Sequence, residues 1–459
     1  MNLGAPELRI KVMKFGGTSV ATPEARLTSA MRVISAKEQG FRPVVVVSAM
    51  GRKGAAYATD TLINTLREID PNVAPEPREL DLLVACGEIL SAVIFAHTLK
   101  TLGHAAQAFR GGQAGIRTDG VYGNARIVGI NPVSLVRSVE NGNIPVVCGF
   151  QGVYVPDHSS PGGELTTLGR GGSDTTGAAI GAALNAFAVE IFTDVDGVKT
   201  ADPDAVPSAP TLRKVTYDEV AEIAHLGAKV VHPRAAEIAM TYSIPLWVKN
   251  TFTEDEGTEI VNREQFPGRR VTGVTHTGKL VYLQFDLSGV KDAERATLEG
   301  RIYETMARYG INLFMLNLGP SSTGFALPRD QYPLIQHVLD GLVVPGAGDQ
   351  SGRVLYLFQI GQNPSREVET QASLLEPLGQ TRRVVAQLTE GCTMVSLVGH
   401  EYMQQPGVFL AVLRTLVDGQ VTVLQTSDSD YSLSALVPEA ETNRAVRLLH
   451  DRFGLAEVR

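Results

Sequence analysis

Several stretches of this sequence set glycine beside a charged side chain in ways that suit the handling of an anion. The tightest is KFGGTSV at 14–20, directly after the apolar run 10–13. A strand that ends on Lys14 and opens into Gly16 and Gly17 lets the backbone approach closely and aim N–H groups at oxygens. A lysine ammonium there would neutralise charge on a transferring phosphoryl group. A strand-to-helix turn that merely needs glycine fits as well, and the GxxxxGK[ST] phosphate loop is absent from the chain. The second stretch is GRGGSDTT at 169–176, followed by the small-residue run 177–188. Ser173 or Asp174 would cap a helix there, Gly171 and Gly172 would leave its first amides uncovered, and a helix N-terminus attracts anions. Arg170 would hold a carboxylate in a two-bond fork. An ordinary capped helix with a surface arginine is the plain alternative.

Glu88 stands inside LLVACGEIL at 82–90, an apolar setting where a carboxylate is costly unless something positive meets it. A substrate ammonium would serve. So would a cation of the chain itself, or a place on the helix's wet edge. Gly87 beside it lets something approach the backbone. The run FTDVDGVKTADP at 192–203 ends a buried strand in Thr193 and Asp194 and then turns through Asp and Gly. Ligands of open α/β sheets sit at the carboxyl ends of strands, where this loop falls. It lacks the EF-hand spacing, and a plain turn fits it equally. In GAKVVHP at 227–233, Lys229 is a candidate for phosphate, and His232, a lone histidine before a proline and of a kind more often structural than catalytic, is assigned no role.

The elements that must position these residues follow from periodicity. Short β-branched runs at 44–47, 144–147, 189–192 and 244–248 lack polar alternation and read as strands buried on both faces. Helical stretches separate them, such as 23–39 with Thr22 as N-cap and Pro23 at the first helical position. This alternation predicts an α/β domain over 8–262, a mostly parallel sheet sandwiched by helices. From 257 to 278 the pattern fades into charged, Gly-containing sequence that reads as a linker. Beyond it come a strand at 280–285, a helix at 293–309 and a strand at 311–318. A second unit has strand 394–398, helix 407–418, strands 421–425 and 432–437, and helix 441–453. The order β-α-β-β-α-β predicts two ferredoxin-like α+β units at 279–345 and 346–459, the second with an extra strand at 354–360 and the two free to interleave.

Composition narrows the function. A length of 459 residues suits two or three domains. With 44% hydrophobic and 20% charged residues the mix is that of a globular protein. A formal charge of −8 without a long basic run argues against a nucleic-acid surface. Cys86, Cys148 and Cys392 are scattered, odd in number and without CxxC spacing. That argues against a disulfide framework and a zinc site and fits a reducing cytoplasm. No basic start precedes an apolar core at the N-terminus. The most apolar stretch, 82–96, is interrupted by Glu88 and reads as too short to span a bilayer, so no membrane role is expected.

Taken together, KFGGTSV, GRGGSD at 169–174, VVSAMGRK at 46–53, CGE at 86–88 and the loops at 193–203 and 227–233 resemble aspartate kinase of the amino-acid-kinase superfamily. They fall in that family's order and spacing over residues 9–262. The units that follow resemble its ACT regulatory domains. The resemblance implies that L-aspartate and MgATP give 4-phospho-L-aspartate and ADP, the first step toward lysine, diaminopimelate, threonine and methionine. It implies catalytic roles for Lys14 and Asp174, and puts Lys14, Phe15, Gly16 and Gly17 on the phosphates. Thr193, Asp194, Val198, Asp202 and Lys229 would surround the nucleotide. Glu88 would bind the aspartate ammonium and Arg170 its α-carboxylate, with Ser48, Thr59, Gly171, Gly172 and Ser173 completing the substrate site. Mg2+ arrives with ATP, and no resident metal is implied. No general base is needed, since the β-carboxylate is already an ionised nucleophile at pH 7. The resemblance also implies an amino-acid effector at the ACT-type units (lysine, threonine or diaminopimelate) and a cytoplasmic homo-oligomer. The catalytic half most resembles enzymes of Gram-positive bacilli, some of which answer to diaminopimelate.

Three features depart from the family pattern. Residues 52–58 intervene before Thr59, Asp60 and Thr61, where many members place threonines sooner, 341–392 is longer than the usual spacer, and the loop 318–323 of the first ACT-type unit differs from the usual pattern. Another carboxylate kinase of the superfamily would use much of the same machinery. An acylated or absent amino group would leave Glu88 unpaired, which favours a free amino acid. A non-catalytic amino-acid sensor is the rival from a different class, and the retention of Lys14, Arg170, Asp174 and Lys229 speaks against it.

Overall fold

Every residue of the strand Ile10–Phe15 is buried, as in a sheet covered on both faces, and its two lysines, Lys11 and Lys14, are each met there by a carboxylate, of Glu190 and of Asp174. The computed structural model describes residues 8–156, 163–228, 230–266, 269–346, 354–378, 381–400 and 407–457. The chain divides into two units between Thr272 and Gly273, with Ala201–Ser208 grouped in the second. In the first unit Ile10–Phe15 lies inside an eight-stranded sheet. The order is Lys214–Thr216, Thr258–Val261, Leu246–Asn250, Ala188–Thr193, Ile10–Phe15, Arg42–Val47, Ile144–Cys148, Ala106–Phe109. From Leu246–Asn250 onward the neighbours are parallel. All four strands expected from the β-branched runs are present. The one expected at 244–248 begins instead at Leu246, after Pro245, which has no N–H to give a ladder.

The expected linker contains structure. Thr258–Val261 pairs antiparallel with Leu246–Asn250, and Gly273 already opens a long strand. A four-residue strand after an acidic turn carries too little periodicity to be seen in sequence.

One face of the sheet carries helices Pro23–Glu38 and Pro77–Thr101 over Met13, Phe15, Val33, Val45, Phe95 and Leu99. Phe15 stacks on Phe192 at 4.9 Å, and Thr22 caps the first helix through Ala25 N–H at 3.2 Å. The other face carries Gly172–Ala183, whose small residues let it lie close. A Cβ on Gly181 would fall 2.3 Å from Val189.

The stretch read as too short for a membrane is the middle of a 25-residue helix, which by length and composition alone would reach across a bilayer. Half of its most apolar window is buried. Asp81 and Glu88 are buried with it, as on a helix packed into a core rather than one facing lipid. Asp81 also fastens a four-stranded sheet to this helix. Its carboxylate accepts from Gly123 N–H, Thr167 N–H and the Thr167 hydroxyl, at 2.7–3.0 Å.

Glu190, on the strand beside Ile10–Phe15, is buried and meets Lys11 at 3.1 Å and Lys249 at 2.9 Å. Removing one partner from a buried ion pair is far more costly than never having built it. Glu190→Ala is therefore expected to destabilise the first unit by about 3 kcal/mol, the low end of the range because Lys249 reaches solvent. An unchanged urea midpoint would mean that both lysines escape to water.

In the second unit two long strands, Gly273–Asp286 and Thr381–Val398, run antiparallel side by side, and each serves two modules. Residues 273–277 pair with 394–398, which also pair with Ser432–Pro438. Helices Val408–Asp418 and Thr442–Arg452 belong to this module. Residues 280–286 pair with Ser322–Pro328, and 381–386 pair with Leu355–Ile360. The core there contains Val281, Phe285, Ile302, Phe325, Val344, Tyr356 and Phe358. The boundary expected at 345/346 falls inside this one core, since Val344 and Tyr356 share it. Strands of 14 and 18 residues are well beyond the usual length. The first also breaks register between Thr277 and Leu280, with Lys279 at φ 59°, so sequence periodicity shows pieces rather than shared strands. Two further strands begin later than expected, at Phe314 and at Gln425.

Candidate active site

Lys14 reaches the end of the central strand with its ammonium buried and held by Asp174 Oδ1 at 2.5 Å. Asp174 stands in the first turn of helix Gly172–Ala183, acidic at the positive end of the helix dipole. The glycine turn follows at once. Gly16 N–H donates to Phe192 O at 3.0 Å, and Gly17 O accepts from Gly51 N–H at 2.9 Å. A Cβ on Gly17 would sit 2.6 Å from Gly51 O, so only glycine lets these loops close on each other. With the Gly16 amide taken, the backbone donors available to an anion lie further along the turn.

The helix start differs from expectation. Gly171 is the N-cap residue, at φ 70°, and no side chain caps the helix. Ser173 and Asp174 are already inside it. Gly172 N–H is spent on Gly169 O, and Asp174 and Thr175 N–H on Gly171 O, so the expected row of open amides shrinks. Freed from capping, Ser173 Oγ lies 2.8 Å from Ser48 Oγ. Two left-handed glycines, Gly169 and Gly171, flank Arg170 and turn it outward. Its side chain is 94% exposed and only loosely tied to Asp60, at 3.9 Å. That leaves the guanidinium ready for an incoming carboxylate. Thr59, next to Asp60, opens helix Thr59–Arg67.

Glu88 is buried, and no lysine or arginine pairs with it among the described residues. Oε1 accepts from Ala49 N–H at 3.0 Å, while Oε2 is buried without a partner. Burial pushes its pKa up to about 8, against the pull of the Ala49 amide. Burial, with Glu88's charge second, also pushes the Cys148 thiol up to about 12. Gly87 serves the neighbouring loop, since a Cβ there would meet Ala49 Cβ at 2.8 Å and Tyr57 O at 2.9 Å.

At the end of strand Ala188–Thr193, Thr193 donates to Asp194 at 3.3 Å, and Asp194 pairs with Arg52 at 2.5 Å. Val198 is a scaffold residue. Its side chain is buried, its N–H goes to Thr258 Oγ1 and its carbonyl accepts from Leu212. Asp202 belongs to Ala201–Ser208, where its carboxylate accepts from Asp204 N–H at 2.9 Å. Lys229 lies outside the described residues. Among the described residues no group of three or more His, Cys, Asp or Glu is placed to hold a metal. A divalent cation at this site would be held chiefly by ligand phosphates.

Two contributors escaped sequence reasoning. His232 packs on Gly171, its Cδ2 2.1 Å from where a Cβ would stand, and burial keeps its pKa below the usual histidine range. Arg234 donates to Leu168 O at 3.3 Å and to Asn124 Oδ1 at 3.0 Å, steadying the chain just before Gly169. Neither carries a local signature, because each acts through packing between distant segments.

Residues 9–250 match the model of the amino acid kinase family, and residues 387–451 that of the ACT domain. Among curated proteins the chain is similar to aspartokinase 1 of Bacillus subtilis, 34% identical over 98% of this chain and 100% of that one. It is also similar to the aspartokinase of Geobacillus stearothermophilus, 35% identical over 98% of each. Among solved structures it is similar in fold to E. coli aspartokinase III in complex with aspartate and ADP, with a TM-score of 0.69 at 24% identity, over 97% of this chain and 100% of that one.

Proposed function

This chain belongs to the aspartokinases of the amino acid kinase family, and on that premise we propose that Glu88 and Arg170 hold L-aspartate while Lys14 and the Gly16–Gly17 turn hold the phosphates of MgATP. The enzyme transfers the γ-phosphoryl group of ATP to the β-carboxylate of L-aspartate, giving 4-phospho-L-aspartate and ADP for amino-acid biosynthesis. A carboxylate oxygen attacks phosphorus as the bond to the departing ADP oxygen breaks. The nucleophile carries no proton to remove, so the chain's task is positioning and charge balance. Lys14 supplies charge beside the transferring group, and Asp174 aims it. Ser48 and Ser173 border the acceptor.

The observation that carries the choice of a free amino acid is the buried, unpartnered Oε2 of Glu88. An ammonium is the group that would satisfy it. The test is a hydroxylamine trap with MgATP and L-aspartate, beside L-glutamate and no-substrate controls. Aspartate hydroxamate forming in step with ADP is expected. No hydroxamate from folded protein with any amino acid would leave a different substrate of the superfamily or a ligand-binding sensor instead.

Gly171→Ala would put a Cβ into the His232 ring and force φ 70° on an L-residue. Since a left-handed non-glycine costs about 1–2 kcal/mol before any clash, the aspartate KM is expected to rise about tenfold or more. Nucleotide affinity should hold. An unchanged KM would show that Arg170 does not depend on this turn.

The second unit supports control by an amino-acid effector, for which we infer lysine, threonine or diaminopimelate, and we expect a homo-oligomer. Titrating each amino acid against hydroxamate formation separates the three, and a sedimentation run giving a monomer at micromolar concentration would count against assembly. We place the enzyme in the cytoplasm, where MgATP is supplied and its free thiols stay reduced.

A further inference from the structure

Arg52 and Asp194 stand on opposite sides of the glycine turn. Phe15, the last residue of the central strand, registers with Val47 on one neighbour and Phe192 on the other. The loops leaving those neighbours each fasten to the turn by one backbone bond. On one side Gly51 N–H donates to Gly17 O at 2.9 Å, and on the other Phe192 O accepts from Gly16 N–H at 3.0 Å. Arg52 follows the first contact and Asp194 lies two residues past the second. Their ion pair, Nη2 to Oδ2 at 2.5 Å, closes a ring over Gly16 and Gly17. Anything seated on that turn has this pair for a wall.

Among the described residues, the two cations beside the turn are both paired. Lys14 is matched by Asp174 and Arg52 by Asp194. A nucleotide triphosphate brings more negative charge than its one divalent cation neutralises, so a cation at the wall must become available. Lys14 is buried and fixed, whereas Arg52 has a side chain 73% exposed and its ion pair is open to water. Exposed pairs of this kind hold weakly. A guanidinium–phosphate fork, charge-assisted and bidentate, is stronger.

We propose that Arg52 is a phosphate-binding residue, kept by Asp194 across the glycine turn until a nucleoside triphosphate arrives and takes the guanidinium onto its terminal phosphate. This rests on placing the nucleotide phosphates at Gly16–Gly17. Asp194 then serves as a resting partner that keeps the long side chain ordered over the turn, so less rotamer freedom is lost on binding.

The experiment compares Arg52→Gln and Arg52→Lys with wild type, by calorimetric titration of the full-length protein with a magnesium complex of a β,γ-imido ATP analogue and with MgADP. Arg52→Gln is expected to weaken the triphosphate analogue about tenfold and MgADP less than twofold. Arg52→Lys should fall between wild type and Gln, because lysine keeps the charge but loses the fork. The KM for aspartate should not move. Equal weakening of both nucleotides would make Arg52 a loop tie and overturn the proposal, as would no weakening of either. Gly17→Ala serves as the control on the underlying placement. If it leaves both nucleotides bound as in wild type, the phosphates do not sit on this turn and the proposal falls with that placement. If wild type and Gly17→Ala behave as expected and Arg52→Gln does not, only the role of Arg52 is lost.

Discussion

Lys14→Met is expected to lower kcat about a thousandfold at saturating MgATP and aspartate, a barrier increase of about 4 kcal/mol. Methionine keeps most of the stem that packs against the Gly172–Ala183 helix and removes the charge. Two effects then add. The transferring group loses a fixed cation in a site shielded from water. Asp174, whose carboxylate lies 2.5 Å from the missing ammonium, becomes an unbalanced negative charge facing an anionic substrate. Asp174→Asn should cost less, because the ammonium remains and only its aim is lost. The double variant should be no slower than Lys14→Met alone, since Asp174 acts through Lys14 and has nothing left to aim. Hydroxamate formation measures all three. A Lys14→Met enzyme within tenfold of wild type would remove Lys14 from the chemistry and leave it as a buried ion pair.

What could be read from the sequence divides by the range of the interaction. The strand that carries Lys14, which runs one residue further than expected to Phe15, the helix beginning at Pro23 with Thr22 as its cap, and the alternation of buried strands with helices are local patterns, and the structure has them. Glu88 was legible because a carboxylate in an apolar run is an anomaly at any range. What it meets was not, since Ala49 N–H comes from another segment. The cap of the Gly172–Ala183 helix was misread because Ser and Asp are good caps by type, while the local choice fell to Gly171 through its left-handed φ. Shared strands in the second unit, the His232–Gly171 contact and the Arg52–Asp194 pair join segments that propensity treats one at a time.

Glu88→Gln is expected to raise the aspartate KM by about 30- to 150-fold, the 2–3 kcal/mol of a charge-assisted hydrogen bond to a buried carboxylate. Gln retains the shape and the bond from Ala49 N–H, so the loss reads the charge alone. The pH dependence separates this from mere misfolding. With a pKa of about 8 in the free enzyme, Glu88 must ionise before it can pair with the substrate ammonium. Log kcat/KM for aspartate should then rise with slope near one up to pH 8 and level off above it. In Glu88→Gln that rise should vanish. Stability should move the opposite way. Because folding raises the Glu88 pKa, the native state binds more protons than the unfolded chain between about pH 4.5 and 8. Its contribution is therefore intact below pH 4.5 and lost as pH climbs through 8, where a bare carboxylate is stranded in the core. Glu88→Gln removes that charge, so the variant should unfold at a higher temperature than wild type at pH 9 and at nearly the same temperature at pH 5. Saturating aspartate should close the gap at pH 9 by supplying wild type with the missing cation. A variant both less active and less stable at pH 9 would contradict this assignment, since it would make Glu88 a structural group whose partner the substrate does not provide.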